Sequence, residues 1–200
     1  MKDSGIARRR PADNPFASHW VDGLAYQRKG FCVAALRRRL EGLGGRGAII
    51  GPKGSGKTSL LEELAAALPG DAVRLRITDG GRRAWRAARA QLPAPITSVH
   101  AVVIDGAELL GPIAWFRLLR VARRARFVVA TLHRPGRLPT LVECDTDHEL
   151  LRKLVRELAP ADARLLEPKL DELFERHGGN IRSCFRELYD VYAGRLAPSS

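Results

Sequence analysis

The sequence predicts an α/β protein with a mostly parallel five-stranded sheet, followed by a small C-terminal α-helical lid. Short apolar runs alternate with amphipathic segments through most of the chain, which is typical of parallel strands covered by helices. Beyond Asp147 only helical periodicity remains. The 200 residues suffice for one such core with a small appended domain. We therefore expect a disordered basic tail at 1–13, an α/β domain with an N-terminal linker helix at 14–146, and the lid at 147–196.

The predicted elements of the α/β domain follow from the spacing of apolar residues. The second strand alternates apolar and arginine residues, which predicts a strand exposed on one side or lying at a sheet edge. In the helix over 112–126, four residues are expected to face the sheet: Ile113, Phe116, Leu118 and Leu119. The first four strands are predicted at 48–50, 73–77, 99–104 and 127–130, and the helices at 31–43, 59–68, 82–92 and 112–126.

The last part of the chain is predicted to hold a fifth strand and three helices. The strand, over 141–144, follows the fourth by too few residues for a crossover helix, so an extended loop must connect them. Each helix presents one apolar face, and Pro160 and Gly178-Gly179 separate them. The apolar faces comprise Leu150, Leu151, Leu154, Val155 and Leu158; Leu165, Leu166, Leu170, Leu173 and Phe174; and Ile181, Phe185, Leu188, Tyr189 and Tyr192.

A glycine-rich loop lies between the first predicted strand and its helix, and it fits the phosphate-binding pattern G-x-x-x-x-G-K-[ST] at every fixed position. Its glycines allow backbone N–H groups to approach phosphate oxygens, and the following helix directs its positive end at the anion. Lys57 supplies a charge for the β- and γ-phosphates, and Thr58 a hydroxyl for Mg²⁺. The loop predicts nucleotide binding by Gly51, Pro52, Lys53, Gly54, Ser55, Gly56, Lys57, Thr58 and Ser59.

A second nucleotide signal is Val102-Val103-Ile104-Asp105, an apolar strand that ends in a carboxylate. At the carboxyl edge of a parallel sheet, beside the phosphate loop, Asp105 can hold the magnesium ion and its water. The alternative is that Asp105 caps the segment that follows.

Three further residues are candidates for γ-phosphate chemistry, each with a structural alternative. Glu108 is the nearest carboxylate that could deprotonate water, or it is a solvated glutamate at a helix start. Thr131, closing the fourth strand, senses the γ-phosphate or simply ends the strand. Arg182, after an Asn180 cap, reaches the γ-phosphate or is a surface charge.

Together these segments resemble the AAA+ ATPases, especially the bacterial branch with secretion-pathway and transposition-helper ATPases. The resemblance covers residues 14 to 193 and includes Asn14-Pro15-Phe16 ahead of a helix. It implies ATP and Mg²⁺, the strand order 5-1-4-3-2, and adenine held between the N-terminal segment and the lid. It also implies assembly into rings, in which an arginine serves the neighbouring subunit's site.

The chain departs from that family at two places. The third strand usually ends in Asp-Glu, but here it reads Asp105-Gly106, which leaves hydrolysis open. The usual helix between strands four and five is replaced by a short segment, Leu132 to Arg137. The arginine that acts in trans is not fixed by the sequence; the candidates are Arg123, Arg124 and Arg134.

The composition bears on partners and location. The formal charge is +12, and 28 of the 34 basic residues are arginine. This excess indicates an anionic partner, either a nucleic acid such as DNA or an acidic protein, or it reflects GC-rich coding. Three scattered cysteines and the lack of long apolar runs predict a cytoplasmic protein without a membrane span. No guanine-reading N-K-x-D or transporter L-S-G-G-Q motif occurs. The expected function is a slow magnesium-dependent ATPase that acts as a nucleotide-dependent switch or remodelling helper. The alternatives are a nucleotide-binding regulatory protein without turnover and a DNA-associated adaptor.

Overall fold

The computed structural model describes residues 10–24, 32–78, 80–92 and 100–194. The chain divides into two compact units. We call the first the helical unit, with Met1–Arg28, Lys53–Ser55 and Asp145–Ser200, and the second the sheet unit, with Lys29–Pro52 and Gly56–Cys144. The tail predicted at 1–13 lies largely outside the described residues. The described part of this tail contains a 3-10 turn, Pro11–Asp13.

The sheet unit contains five parallel strands, which confirms the predicted α/β class and parallel sheet. Read from one edge, the strand order is β5-β1-β4-β3-β2. The second strand is thus an edge strand, as its alternating pattern predicted, and its arginines are exposed. The strands are β1 (Arg46–Ile50), β2 (Ala72–Arg76), β3 (Ala101–Asp105), β4 (Phe127–Leu132) and β5 (Thr140–Glu143).

Central strands β1, β3 and β4 are buried on both faces because their residues are almost all apolar. β4 is longer than predicted and runs past Thr131 to Leu132. β3 begins at Ala101 and ends at Asp105, whereas the predicted start at Val99 lies outside the described residues. The sheet unit also contains α2 (Val33–Gly42), α3 (Lys57–Ala67), α4 (Gly81–Gln91) and α5 (Pro112–Ala122).

Helix α5 contradicts one prediction about its orientation. Ile113 and Phe116 do not face the sheet but are 71% and 65% exposed. The buried positions are Trp115, Leu118 and Ala122, which follow the i, i+3, i+7 spacing of a single helix face. The sequence was ambiguous because α5 carries two apolar rows, and only packing against the sheet selects between them.

The helical unit consists of α1 (Ser18–Asp22), α6 (His148–Leu158), α7 (Ala163–Arg176) and α8 (Ile181–Tyr192). Asp147 and Asn180 cap α6 and α8 by accepting hydrogen bonds from Leu150 and Ser183. The apolar faces of α6, α7 and α8 form one core, except that Leu165 is 43% exposed.

The N-terminal segment packs within this helical core. The Phe16 ring lies 5.7 Å from that of Phe185 and 5.5 Å from that of Tyr192. Buried Asn14 donates from Nδ2 to the Tyr189 carbonyl, and its Oδ1 accepts from the Phe16 N–H. The aromatic residue of Asn14-Pro15-Phe16 is therefore a core residue, and the asparagine fixes the turn that inserts it.

Candidate functional site

The sheet unit brings several predicted site residues to the carboxyl ends of three adjacent strands. Ile49 of β1 lies beside Thr131 of β4, and Ile104 of β3 lies beside Ala130. Asp105, one residue further along β3, is therefore level with Thr131. The glycine-rich loop starts directly after β1, at the same edge. Parallel strands in this register place their terminal side chains together, as expected for an open α/β sheet.

Lys57 is the first residue of α3, and its side chain folds back over the loop that precedes it. Its Nζ donates to the carbonyls of Gly51 at 2.8 Å and Pro52 at 2.6 Å. Burial lowers the pKa of Lys57 below the ordinary lysine value, opposed by the negative charges of nearby groups, of which Glu108 is the strongest. A desolvated ammonium group near the first turn of a helix favours an anion at this position.

Thr58, Asp105 and Thr131 form one hydrogen-bonded group. The Thr58 hydroxyl lies 3.2 and 3.1 Å from the two carboxylate oxygens of Asp105. Thr131 donates to Asp105 Oδ1 at 2.8 Å and accepts from the Gly106 N–H at 2.9 Å. Arg76 approaches the same carboxylate, with Nε 4.0 Å from Oδ2, but its side chain is 70% exposed.

A hydroxyl and a carboxylate in contact are a suitable pair of oxygen ligands for Mg²⁺, which takes few protein ligands and fills its other positions with water or phosphate oxygens. In the described parts of the chain, no three His, Cys, Asp or Glu side chains are grouped to hold a metal by themselves. Thr58 and Asp105 are therefore the side chains at this edge best suited to hold the ion.

Gly106 explains why a glutamate is missing directly after Asp105. Its φ is +77°, in the left-handed region, and a Cβ added there would collide with the carbonyl oxygen of Ile77. The backbone at this position therefore excludes a side chain. The following 3-10 turn, Ala107–Leu109, instead presents Glu108.

Glu108 is partly buried and has two different carboxylate oxygens. Its Oε1 lies 3.2 Å from Nε2 of His133. Its Oε2 is buried and has no hydrogen-bond partner among the described residues. A buried carboxylate oxygen without a donor is costly, so this atom is a natural position for a bound water or ligand.

Two residues that the sequence patterns did not single out, His133 and Arg137, hold the Glu108 turn. His133 directly follows the end of β4 at Leu132, and its Nε2 lies 3.2 Å from Oε1 of Glu108. Arg137 donates to the carbonyls of Ala107 at 2.7 Å and Leu110 at 2.6 Å. No local signal in the sequence points to either residue as a partner of this turn.

The remaining predicted residues lie in the helical unit. Arg182 is exposed in the first turn of α8, in a different unit from Lys57, Thr58 and Asp105. This unit also contains the tip of the glycine-rich loop, Lys53–Ser55. Gly54 has a φ of +84°, and a Cβ on it would collide with Oδ1 of Asn180. The tip of the loop is thus fitted closely to the start of α8.

Arginines are distributed unequally between the two units. In the helical unit, Arg152, Arg156 and Arg176 pair with carboxylates of α7 and α8. Helices α4 and α5 contain no acidic residue. No carboxylate partner is found in the described ranges for their exposed arginines or for those just after α5, namely Arg83, Arg86, Arg89, Arg117, Arg120, Arg123 and Arg124.

The chain matches no model of a known protein family and no curated protein. None of the helices in the described ranges is long and apolar enough to cross a membrane.

Proposed function

We propose that the protein binds ATP with Mg²⁺ at the carboxyl edge of the sheet and hydrolyses it slowly. The observation that carries this proposal is the contact between Thr58 at the start of α3 and Asp105 at the end of β3, beside Lys57 and Glu108. Each residue type matches one requirement of phosphate transfer: a charge for the phosphates, oxygen ligands for the metal, and a carboxylate for water.

The amides of the glycine-rich loop and the first turn of α3 would bind the phosphates, and Lys57 would exchange the carbonyls of Gly51 and Pro52 for phosphate oxygens. Thr58 and Asp105 would hold Mg²⁺, and Thr131 keeps the Asp105 carboxylate oriented. The metal would supply charge neutralisation as the phosphate bond breaks. Glu108 would orient the attacking water through its Oε2 and accept the proton.

Adenine is the proposed base because the sequence lacks a guanine-reading motif and resembles ATPases. Arg182 and a second subunit are proposed contributors to the γ-phosphate site on that resemblance alone.

The decisive experiment measures ATP affinity and single-turnover hydrolysis for the unaltered protein and three variants. Lys57→Ala should weaken binding, Asp105→Asn should remove the magnesium dependence, and Glu108→Gln should bind ATP but lose most turnover. Lys153→Ala, which removes an exposed lysine of α6, is the control and should behave like the unaltered protein. Binding that is unaffected by Lys57→Ala would refute the proposed site.

The same measurements address the alternative of a nucleotide-dependent switch without turnover. Tight, magnesium-dependent binding with no hydrolysis by the unaltered protein would favour that alternative, and Glu108→Gln would then change nothing. The position of Glu108, with one buried oxygen that lacks a hydrogen-bond partner among the described residues, favours hydrolysis.

A second candidate function, DNA binding, is favoured by the exposed arginines of α4 and α5 for which the described ranges contain no carboxylate partner. Exposed arginines without carboxylate partners provide the positive surface that phosphate backbones bind, whereas the paired arginines of the helical unit do not. The neighbouring exposed ring of Phe116 offers a face on which an unpaired base could stack.

The test is fluorescence anisotropy with a labelled dT20 strand and a 20-bp duplex between 50 and 200 mM salt. Arg117→Gln/Arg120→Gln should weaken binding and reduce the salt slope by about one for each lost phosphate contact. The matched control, Arg164→Gln/Arg186→Gln, removes the same charge from exposed positions of the helical unit. Equal losses in both variants would indicate only a general charge effect, not a site on α5.

A further inference from the structure

The segment after β4 holds the Glu108 turn at three points. Nε2 of His133 lies 3.2 Å from Glu108 Oε1. The guanidinium of Arg137 bridges the carbonyls of Ala107 and Leu110, which flank Glu108 on either side. That guanidinium also lies over the Trp115 ring, 5.4 Å from its centre, so its own position is restricted.

These contacts fix a turn that its own backbone would hold weakly. The Ala107–Leu109 segment is a single 3-10 turn with two short-range hydrogen bonds, Leu109 N–H to the Gly106 carbonyl and Leu110 N–H to the Ala107 carbonyl. One such turn is only marginally stable alone. A planar guanidinium that donates to two carbonyls adds a geometric constraint that a single ammonium group would not provide.

The orientation of the Glu108 carboxylate follows from the histidine contact. Oε1 is the oxygen next to His133, and Oε2 is the oxygen that is buried without a hydrogen-bond partner among the described residues. The carboxylate is thereby held with one oxygen engaged and the other available. A freely rotating glutamate side chain would lose this distinction between its two oxygens.

We propose that His133 and Arg137 are positioning residues that hold Glu108 with Oε2 directed toward the attacking water. This inference rests on the proposed function, since it assigns a role in hydrolysis to residues of the same site. It also gives a purpose to the short segment from Leu132 to Arg137, which stands where a helix was expected from the family resemblance. His133 and Arg137 would hold the Glu108 carboxylate in position, as Thr131 holds the Asp105 carboxylate by its hydrogen bond.

The first test uses the protein without nucleotide. Urea midpoints are measured for His133→Ala, Glu108→Ala and the double variant, because alanine at either position removes the contact. If the pair exists, the double variant should shift the midpoint by less than the two single shifts combined, since one contact is lost in all three. Additive shifts would contradict the contact and overturn the inference.

The second test separates positioning from binding. His133→Ala and Arg137→Lys should lower kcat about tenfold to a hundredfold, while the ATP dissociation constant and KM stay within about twofold. His133→Gln, whose amide can donate to the same oxygen, should recover part of the loss. His100→Ala, which removes an exposed histidine directly before the start of β3, is the control and should leave kcat unchanged.

The outcomes distinguish the inference from the proposed function. If the unaltered protein hydrolyses ATP and His133→Ala and Arg137→Lys retain full kcat, the inference is wrong and the proposed function stands. If the unaltered protein does not bind ATP, the proposed function fails and the positioning role fails with it, even where the urea experiment shows a His133–Glu108 contact.

Discussion

The Thr131 hydroxyl donates a 2.8 Å hydrogen bond to Oδ1 of Asp105 while it accepts one from the Gly106 N–H. A single side chain of β4 thus satisfies both the carboxylate that ends β3 and the backbone that follows it. Thr131 is 1% exposed, so no bulk water can replace it. This contact ties the candidate metal ligand to the centre of the sheet.

Thr131→Val should therefore destabilise the protein, because it keeps the side-chain shape but leaves the partly buried Gly106 N–H without its acceptor. The expected loss in the free energy of unfolding is about 1–3 kcal/mol. Thr131→Ser retains the hydroxyl and should keep both hydrogen bonds, at the smaller cost of a buried methyl group. Urea unfolding of both variants measures the difference, and a Val variant as stable as the Ser variant would contradict it.

Gly106→Glu, which places a glutamate directly after Asp105, should not raise hydrolysis. The left-handed backbone and the collision with the Ile77 carbonyl should lower the free energy of unfolding by about 1–3 kcal/mol or more. Gly42→Ala is the control, because a Cβ at Gly42 meets nothing within 4 Å. It should be neutral or slightly stabilising. A stable Gly106→Glu variant with faster turnover would show that the backbone restriction does not hold.

Gly54→Ala should be more damaging than Gly178→Ala. Both glycines have positive φ, so an alanine is strained at either position, but only Gly54 would also place its Cβ against Asn180. The strain at Gly178, about 1 kcal/mol, should lower the Tm by about 2–4 °C. Gly54→Ala should lower it further and also weaken nucleotide binding. Thermal unfolding and a binding titration test both effects; equal Tm values would rule out the Asn180 contact.

The affinity for ATP should fall as the pH rises, beginning below the ordinary lysine value of 10.5, because burial lowers the pKa of Lys57. Only the protonated amine attracts phosphate, so loss of its proton weakens binding. The terminal phosphate of ATP has a second pKa of about 6, so its charge does not change between pH 8 and 10. In Lys57→Arg the guanidinium stays protonated, so its affinity, though weaker, should not change between pH 8 and 10. Fluorescence titrations across this range measure both; identical pH profiles would argue against a role for Lys57.

Replacing the exposed apolar residues of α5 should have little effect on stability. Ile113→Ser and Phe116→Ser should each change the free energy of unfolding by about 0.5 kcal/mol or less, since neither side chain is in the core. Trp115→Ala, on the sheet-facing side, should cost about 3–5 kcal/mol. Chemical denaturation of the three variants would show whether the assigned faces are correct.

The parts of this protein that depend on local sequence could be predicted from it. Residue spacing and backbone preference over a few residues predict the glycine-rich loop, the parallel strands and the Asn180 cap. A short pattern is sufficient because side chains along a helix or strand return to the same face with a fixed period. The apolar core strands β1, β3 and β4 were predicted for the same reason. The alternating arginines of β2 predicted a strand that is exposed on one side or lies at a sheet edge, and the sheet order places it at an edge.

Tertiary packing decided what local periodicity left open. The sequence of α5 carried two apolar rows, and contact with the sheet buried Trp115 and Leu118 instead of Ile113 and Phe116. The contact between Glu108 and His133, 25 residues later, depends on the parallel register of β3 and β4. The hydrogen bonds from Arg137 to the carbonyls of Ala107 and Leu110 depend on the same register. Contacts of this kind join residues that are distant along the chain, so no pattern within either segment encodes them; they exist only once the sheet has aligned its strand ends.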